Sequence, residues 1–358
     1  MRRVAKASKE PREQQMRRGP RSVVVLEHAD DETLLATCLR DLPVRIEGTL
    51  MERRVRRLYR ELEARGIPVR PHVYLSEEFF NPDGMLGFAV PFYLAHPRLM
   101  QLERSQMLEV EGAGESECRR IFRHEAGHAL DEAYRLQERP GYAELFGDPT
   151  QPYPASYTPR VESREHVINL ASWYAQAHPV EDFAETFAVW LTPRSQWRRR
   201  YKGWPALRKL EYIDDIMQEL AGSKPRNRMR TKVEPLSSLK ITLREHYRRK
   251  REKYDFDWPA VYDRDLKRIF SDDPEDRLRP SAASFLRSVR REIRQIVADG
   301  TGVHQYTIDH VLQNMIDRCK ELKLRLVTPP REARRRMMIV VTVQVMNVLH
   351  SGYHRIAV

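Results

Sequence analysis

The stretch that decides the fold reads Ile121-Phe122-Arg123-His124-Glu125-Ala126-Gly127-His128-Ala129-Leu130-Asp131-Glu132-Ala133. His124 and His128 are four residues apart, which on a helix puts both imidazoles on one face, within reach of a single ion. Glu125 follows the first histidine and is placed to hold a water and take its proton. Zinc would supply the rest of that chemistry, lowering the pKa of a bound water to about 7 and polarising a carbonyl. With 12 His and 32 Glu in 358 residues, random placement gives roughly 0.04 such motifs per chain. Ile121, Phe122, Ala126, Ala129, Leu130 and Ala133 run through the motif as an apolar stripe, so a core-packed helix is expected from about Glu117 to Glu138, ended by Pro140-Gly141. The bland alternative is a charged, partly buried helix with two ordinary histidines.

A catalytic zinc takes three protein ligands and keeps one position open. No histidine follows His128 until His166, so a third histidine soon after the motif is absent. The other common source is a glutamate on a separate helix. Pro179-Val180-Glu181-Asp182-Phe183-Ala184-Glu185-Thr186-Phe187 supplies one, with Pro179 in a first helical turn and Glu181 and Glu185 on one face. Glu181 is the expected third ligand. Glu185 is expected to accept a hydrogen bond from a ligand imidazole, because ligand histidines need such a partner. The helix dipole alone would explain Glu181 and Asp182 near an N-terminus, but not Glu185 deeper in.

HEAGHALD at His124 to Asp131, Tyr174, and EDFAETF at Glu181 to Phe187 resemble gluzincin metallopeptidases. Two branches are closest, the bacterial zinc-binding metallopeptidases and the lethal-factor-type toxin proteases. In the latter the pattern is HExGH, then a tyrosine seven residues before the ligand glutamate and a second glutamate four residues after it; Tyr174, Glu181 and Glu185 have that spacing. The resemblance implies that Tyr174 donates a hydrogen bond to the oxyanion of the transition state. It covers about residues 118–215, including Tyr201-x-Gly203-Trp204, and the segment from Asp83 to Leu99 is similar to the bacterial family as well. His178 and His166 are rival oxyanion donors, although His178 before Pro179 reads as a helix start. Asp131 is either a support for the site or a solvated helix position. Cys118 is not expected to be a nucleophile.

Working outward, residues 1–22 read as a solvated basic tail, and helical spacing recurs from Asp41 to Gly66. Strands are expected at His72 to Leu75 and Leu86 to Leu94, on either side of the turn Asn81-Pro82-Asp83-Gly84. The second strand is a candidate for pairing with extended substrate, with core packing the equal alternative. Residues 140–160 read as a loop, and helices are expected near 165–177, 180–191 and 205–221. Gly222-Ser223-Lys224-Pro225 marks the expected domain boundary. Beyond it, four helices are expected near 236–254, 281–298, 305–324 and 330–350.

Charge follows these divisions. Residues 1–21 are net +6 and residues 223–358 net +13, which leaves −7 for the middle of a chain whose total is +12. The basic clusters Arg226 to Lys232, Arg248 to Lys253 and Arg334 to Arg336 suit either nucleic-acid phosphates or, preferably, solvated helix faces. Three widely spaced cysteines suit a reducing compartment. No secretory segment is evident, and the longest apolar stretch, Met337 to Leu349, falls short of the roughly 20 residues of a membrane span. The expectation is therefore an α+β, zincin-like domain over residues 23–222, with a small sheet, an active-site helix and a glutamate helix, followed by a basic helical domain over 223–358. It would act in the cytoplasm as a zinc metallopeptidase on peptide or protein substrates. The rival is a non-catalytic zinc or apo binding protein whose basic C-terminal domain contacts nucleic acid or a protein partner.

Overall fold

The structure, a computed structural model, describes residues 25–154, 156–160, 162–253, 262–350 and 356–357; the expected tail over 1–22 lies outside them. The chain is mostly helical. In order come α1 (Asp31–Ala36), α2 (Leu50–Glu63), β1 (His72–Ser76), β2 (Gly87–Pro91), α3 (Pro97–Met107), α4 (Glu115–Tyr134), α5 (Tyr142–Phe146), β3 (Ser156–Tyr157), α6 (Pro179–Leu191), α7 (Trp197–Arg200) and α8 (Ala206–Glu219). Then follow α9 (Leu243–Lys253), α10 (Asp263–Lys267), α11 (Ala282–Thr301), α12 (Gln305–Glu321), α13 (Pro330–His350) and β4 (Ile356–Ala357).

The sheet beneath the site has two parallel strands, with His72 opposite Gly87 and Leu75 opposite Val90. All five residues of β2 are buried, and its Ala89 also bridges Phe80. Core packing thus accounts for this strand, with neighbours on both sides. Beside it, α2 begins at Thr49, whose hydroxyl accepts from Met51 N–H at 3.2 Å, and buries Met51, Val55, Leu58 and Leu62. Each such aliphatic side chain contributes about 1.5–3 kcal/mol when taken from water.

The helix α4 starts with Glu115 and Glu117 at its positive end and stops at Arg135 in a left-handed conformation, φ 54°. Its orientation is fixed by a buried ion pair. Arg123 meets Glu61 of α2 through two hydrogen bonds, of 2.7 and 3.0 Å, and donates to Thr192 Oγ1, at the end of α6, at 3.0 Å. α6 packs across α4, and the two approach most closely at Gly127. A Cβ there would lie 2.9 Å from Ala184 Cα and 3.2 Å from Ala184 O. Only glycine permits that approach.

Two apolar clusters form. One gathers residues from Leu26 to Tyr247, the other from Tyr262 to Val345. The segment after residue 222 is divided between them, because Leu236, Leu243 and Tyr247 pack on the first cluster. The basic run on α9 is largely neutralised. Arg248 and Arg249 pair with Glu245, Lys250 with Glu103, and Lys253 with Glu78. Among the described residues, no helix is long and apolar enough to cross a membrane.

Candidate metal centre

His124, Glu125 and His128 are carried by α4 and Glu181 and Glu185 by α6, and all five are buried. His124 Nε2 and His128 Nε2 lie 3.0 Å apart, and Glu181 Oε2 lies 3.0 Å from the first and 3.2 Å from the second. Ligands about 2.0–2.1 Å from a tetrahedral zinc are separated by roughly 3.3 Å, so this triangle fits such an ion with one side left open. Among the described residues, these three form the group of ligand atoms that could hold a metal. Two imidazoles and one carboxylate suit zinc better than magnesium or calcium, which prefer all-oxygen sites.

Glu185 fixes the tautomer. Its carboxylate accepts from Asn169 Nδ2 at 2.7 Å and from Leu170 N–H at 2.8 Å, and His124 Nδ1 lies 2.9 Å from the same Oε1. With the carboxylate as acceptor, Nδ1 carries a proton, which leaves Nε2 as the nitrogen that would face a metal ion. Burial disfavours charge on His124, yet Glu181 and Glu185 outweigh it and hold its pKa well above the imidazole range. Burial likewise opposes ionisation of Glu181, but His128 and His124 draw its pKa well below the usual carboxylate range. The cluster is built to attract positive charge.

Glu125, on α4, and Tyr174, on the turn before α6, complete the surroundings of the three ligands. Glu125 forms no hydrogen bond to another described residue; burial raises its pKa, partly offset by His124 and His128. Tyr174 sits in the turn Ala171–Gln176, its ring centroid 5.7 Å from that of His124. Burial, then Glu181 and Glu125, push its pKa far up, so the hydroxyl stays protonated.

The other candidates lie in different roles. His178 caps α6, accepting from Val180 N–H, while its Nε2 faces Gln151 O at 2.9 Å. His166 stands 3.7 Å from Asp182 Oδ2, its pKa lowered to about 4 by burial, Lys209 and Arg160. Asp131 is buried rather than solvated, and it accepts from Gln137 N–H and the Tyr142 hydroxyl. Burial pushes the Cys118 thiol up to about 11, which leaves it protonated at neutral pH.

Two contributors, Tyr153 and Asn169, have no counterpart in the sequence reading, and Gly127 was read only as part of the HExGH pattern. Tyr153 donates to Glu181 Oε1 at 3.0 Å and stacks on His178 with ring centroids 3.9 Å apart. Asn169 holds Glu185, and Gly127 sets the spacing of α4 and α6. His178-Pro179 is the local signal that could have pointed to an aromatic partner for the cap; Asn169 carries none.

No curated protein and no solved structure matches the chain. Residues 120–198 match the family described as "Putative zinc-binding metallo-peptidase", a span that takes in His124, Glu125, His128, Tyr174, Glu181 and Glu185.

Proposed function

We propose that this chain hydrolyses peptide bonds, with one zinc ion held by His124, His128 and Glu181. The observation that carries the reading is the convergence of two Nε2 atoms and one carboxylate oxygen at 3.0–3.2 Å beside a glutamate with no hydrogen-bonded partner among the described residues. Zinc in such a site supplies a Lewis acid for the scissile carbonyl and makes a water acidic near neutral pH.

The chain's own groups do the rest. Glu125, with its pKa raised by burial, takes the proton from the attacking water and passes it to the leaving amine. Tyr174 keeps its proton and donates a hydrogen bond to the carbonyl oxygen as charge develops there. A donor in such a dry site contributes about 3–4 kcal/mol to the transition state. Glu185, itself held by Asn169 and Leu170, keeps the His124 ring from turning. The arrangement of α4, α6 and a small sheet supports a zincin-like, α+β catalytic domain. Peptide or protein is the substrate class that the matched family implies. Three unpaired cysteines, two of them buried, support a cytoplasmic location.

The test is zinc content by elemental analysis, followed by turnover of a peptide library. Wild type and Glu125→Gln should each hold near one zinc per chain, and Glu181→Ala should lose it. Glu125→Gln should be slower than wild type by about 10²–10⁴-fold. A folded wild type that takes up no zinc on reconstitution would end the proposal. A Glu125→Gln protein cleaving at the wild-type rate would remove Glu125 from proton transfer.

A further inference from the structure

Separately from the metal ligands, a cavity of about 400 Å³ opens between α4, the C-terminal end of α6 and the loop at Ile168-Asn169. Arg57, Arg119, Arg120, Arg123 and Arg200 line it, and among the described residues no acidic side chain does. This is not the background of the region, since the chain between residues 22 and 222 is net −7.

The arginines are unevenly neutralised. Arg123 is fully engaged by Glu61. Arg57 and Arg119 lie each 3.7 Å from the single carboxylate of Glu115, and Arg57 also lies 3.3 Å from Glu61. Arg120 and Arg200 form no ion pair with another described residue. Glu117 also interacts electrostatically with Arg120, so five guanidinium groups are set against three carboxylates around one concavity, and such an excess of one sign focuses the field within it. Ser195, which also lines the cavity, has a buried hydroxyl oxygen with no hydrogen-bond partner. Ile168, Val189 and Pro193 add an apolar wall.

We propose that this cavity binds a small organic phosphate of the size of a nucleoside diphosphate. The guanidinium groups of Arg120 and Arg200 take the phosphate oxygens, which arginine matches with paired donors. The apolar wall takes the organic part, and the volume falls within the roughly 300–1,000 Å³ of small-molecule sites. Asn169 lines this cavity and also donates to Glu185, so the site adjoins the hydrogen bonds that support the metal centre.

The test is calorimetric titration of the full chain with ADP, adenosine and inorganic pyrophosphate, at physiological salt without added magnesium. ADP should saturate one site per chain, and adenosine and pyrophosphate should each bind at least about 10-fold more weakly. The double variant Arg120→Ala/Arg200→Ala should weaken ADP by about 10-fold or more, since it removes both guanidinium groups that take the phosphate oxygens. Both side chains are exposed, so the fold should survive, as a thermal melt would verify. Arg335→Ala, on exposed α13 surface, should leave binding unchanged. Glu181→Ala should also leave it unchanged, which separates this site from phosphate binding at the zinc. Absence of saturation, an unaffected double variant, or loss of binding in Glu181→Ala would each overturn the proposal. Pyrophosphate binding as tightly as ADP would overturn the organic part of it, and an acidic peptide or oligonucleotide competing on equal terms would overturn the small-ligand class.

Discussion

Glu181 is held from two directions, and the difference between them is measurable. Its Oε2 faces both imidazoles, while its Oε1 accepts from Tyr153 at 3.0 Å. Glu185 supports the site more deeply, being 1% exposed and the acceptor for His124, Asn169 and Leu170. Groups that orient metal ligands are typically worth about 10–100-fold in metal affinity. Tyr153→Phe should weaken zinc binding by about 10-fold, because water can replace a donor on a half-exposed ring. Glu185→Ala should weaken it by about 100-fold, because nothing replaces the acceptor that sets the His124 tautomer. Competition against a chromogenic chelator measures both, and equal losses would show that depth of burial does not rank these supports. At this scale the sequence was most informative where spacing along one helix encodes proximity. His124 and His128, or Glu181 and Glu185, are read from four-residue intervals. Tyr153 and Asn169 reach the site from irregular segments, and nothing in the spacing of an irregular segment tells where a side chain ends.

The contact of α4 with α6 depends on one missing methyl group. In an open helix, replacing glycine with alanine stabilises by about 1 kcal/mol. At Gly127 the new Cβ would meet Ala184 Cα at 2.9 Å, backbone that no rotamer change can move aside. Overpacking of this kind costs about 1–3 kcal/mol, so the sign should reverse. Gly127→Ala is expected to lower the denaturation midpoint and to weaken zinc binding, because α6 carries Glu181. A stabilised variant with unchanged zinc affinity would mean that the two helices separate freely. The same competition between local preference and site geometry explains the clearest departure from the sequence reading. A helix was expected near 165–177, yet the chain there forms only a short turn at Ala171–Gln176, with Trp173 at φ 54°. Leu170 spends its N–H on Glu185, and a helix through this stretch would take that donor away. The converse case is α3, which no expectation covered although His96-Pro97 opens it as His178-Pro179 opens α6. In both, the histidine accepts from the backbone two residues on and proline fills the first turn.

Across the whole molecule, charge and packing divide the chain at different places. The balance turns basic after residue 222, and that shift marked the expected boundary. Packing continues past it: α9 lies against α1 and α3, and its Lys250 reaches Glu103 at 2.8 Å with both groups buried. The second apolar cluster begins only at Tyr262. We therefore infer that the packed unit carrying the candidate metal centre ends between Lys253 and Tyr262, a division that charge could not reveal because α9 is basic yet largely paired. The three long helices of the second cluster, α11, α12 and α13, were legible in outline, since each carries apolar residues at helical spacing; where a helix docks is a property of its partner and leaves no periodic trace. A chain ending at Lys253 should keep its zinc and unfold cooperatively in guanidinium. A chain ending at Gly222 would lose α9 from its place against α1 and α3, uncovering Glu103 and stripping Leu243 and Tyr247 from the core. Each large apolar side chain lost from the core costs about 1.5–3 kcal/mol, so the shorter fragment should be much less stable or fail to fold. Equal stability of the two fragments would return the boundary to residue 222, and failure of both would mean that the second cluster is needed to complete the first.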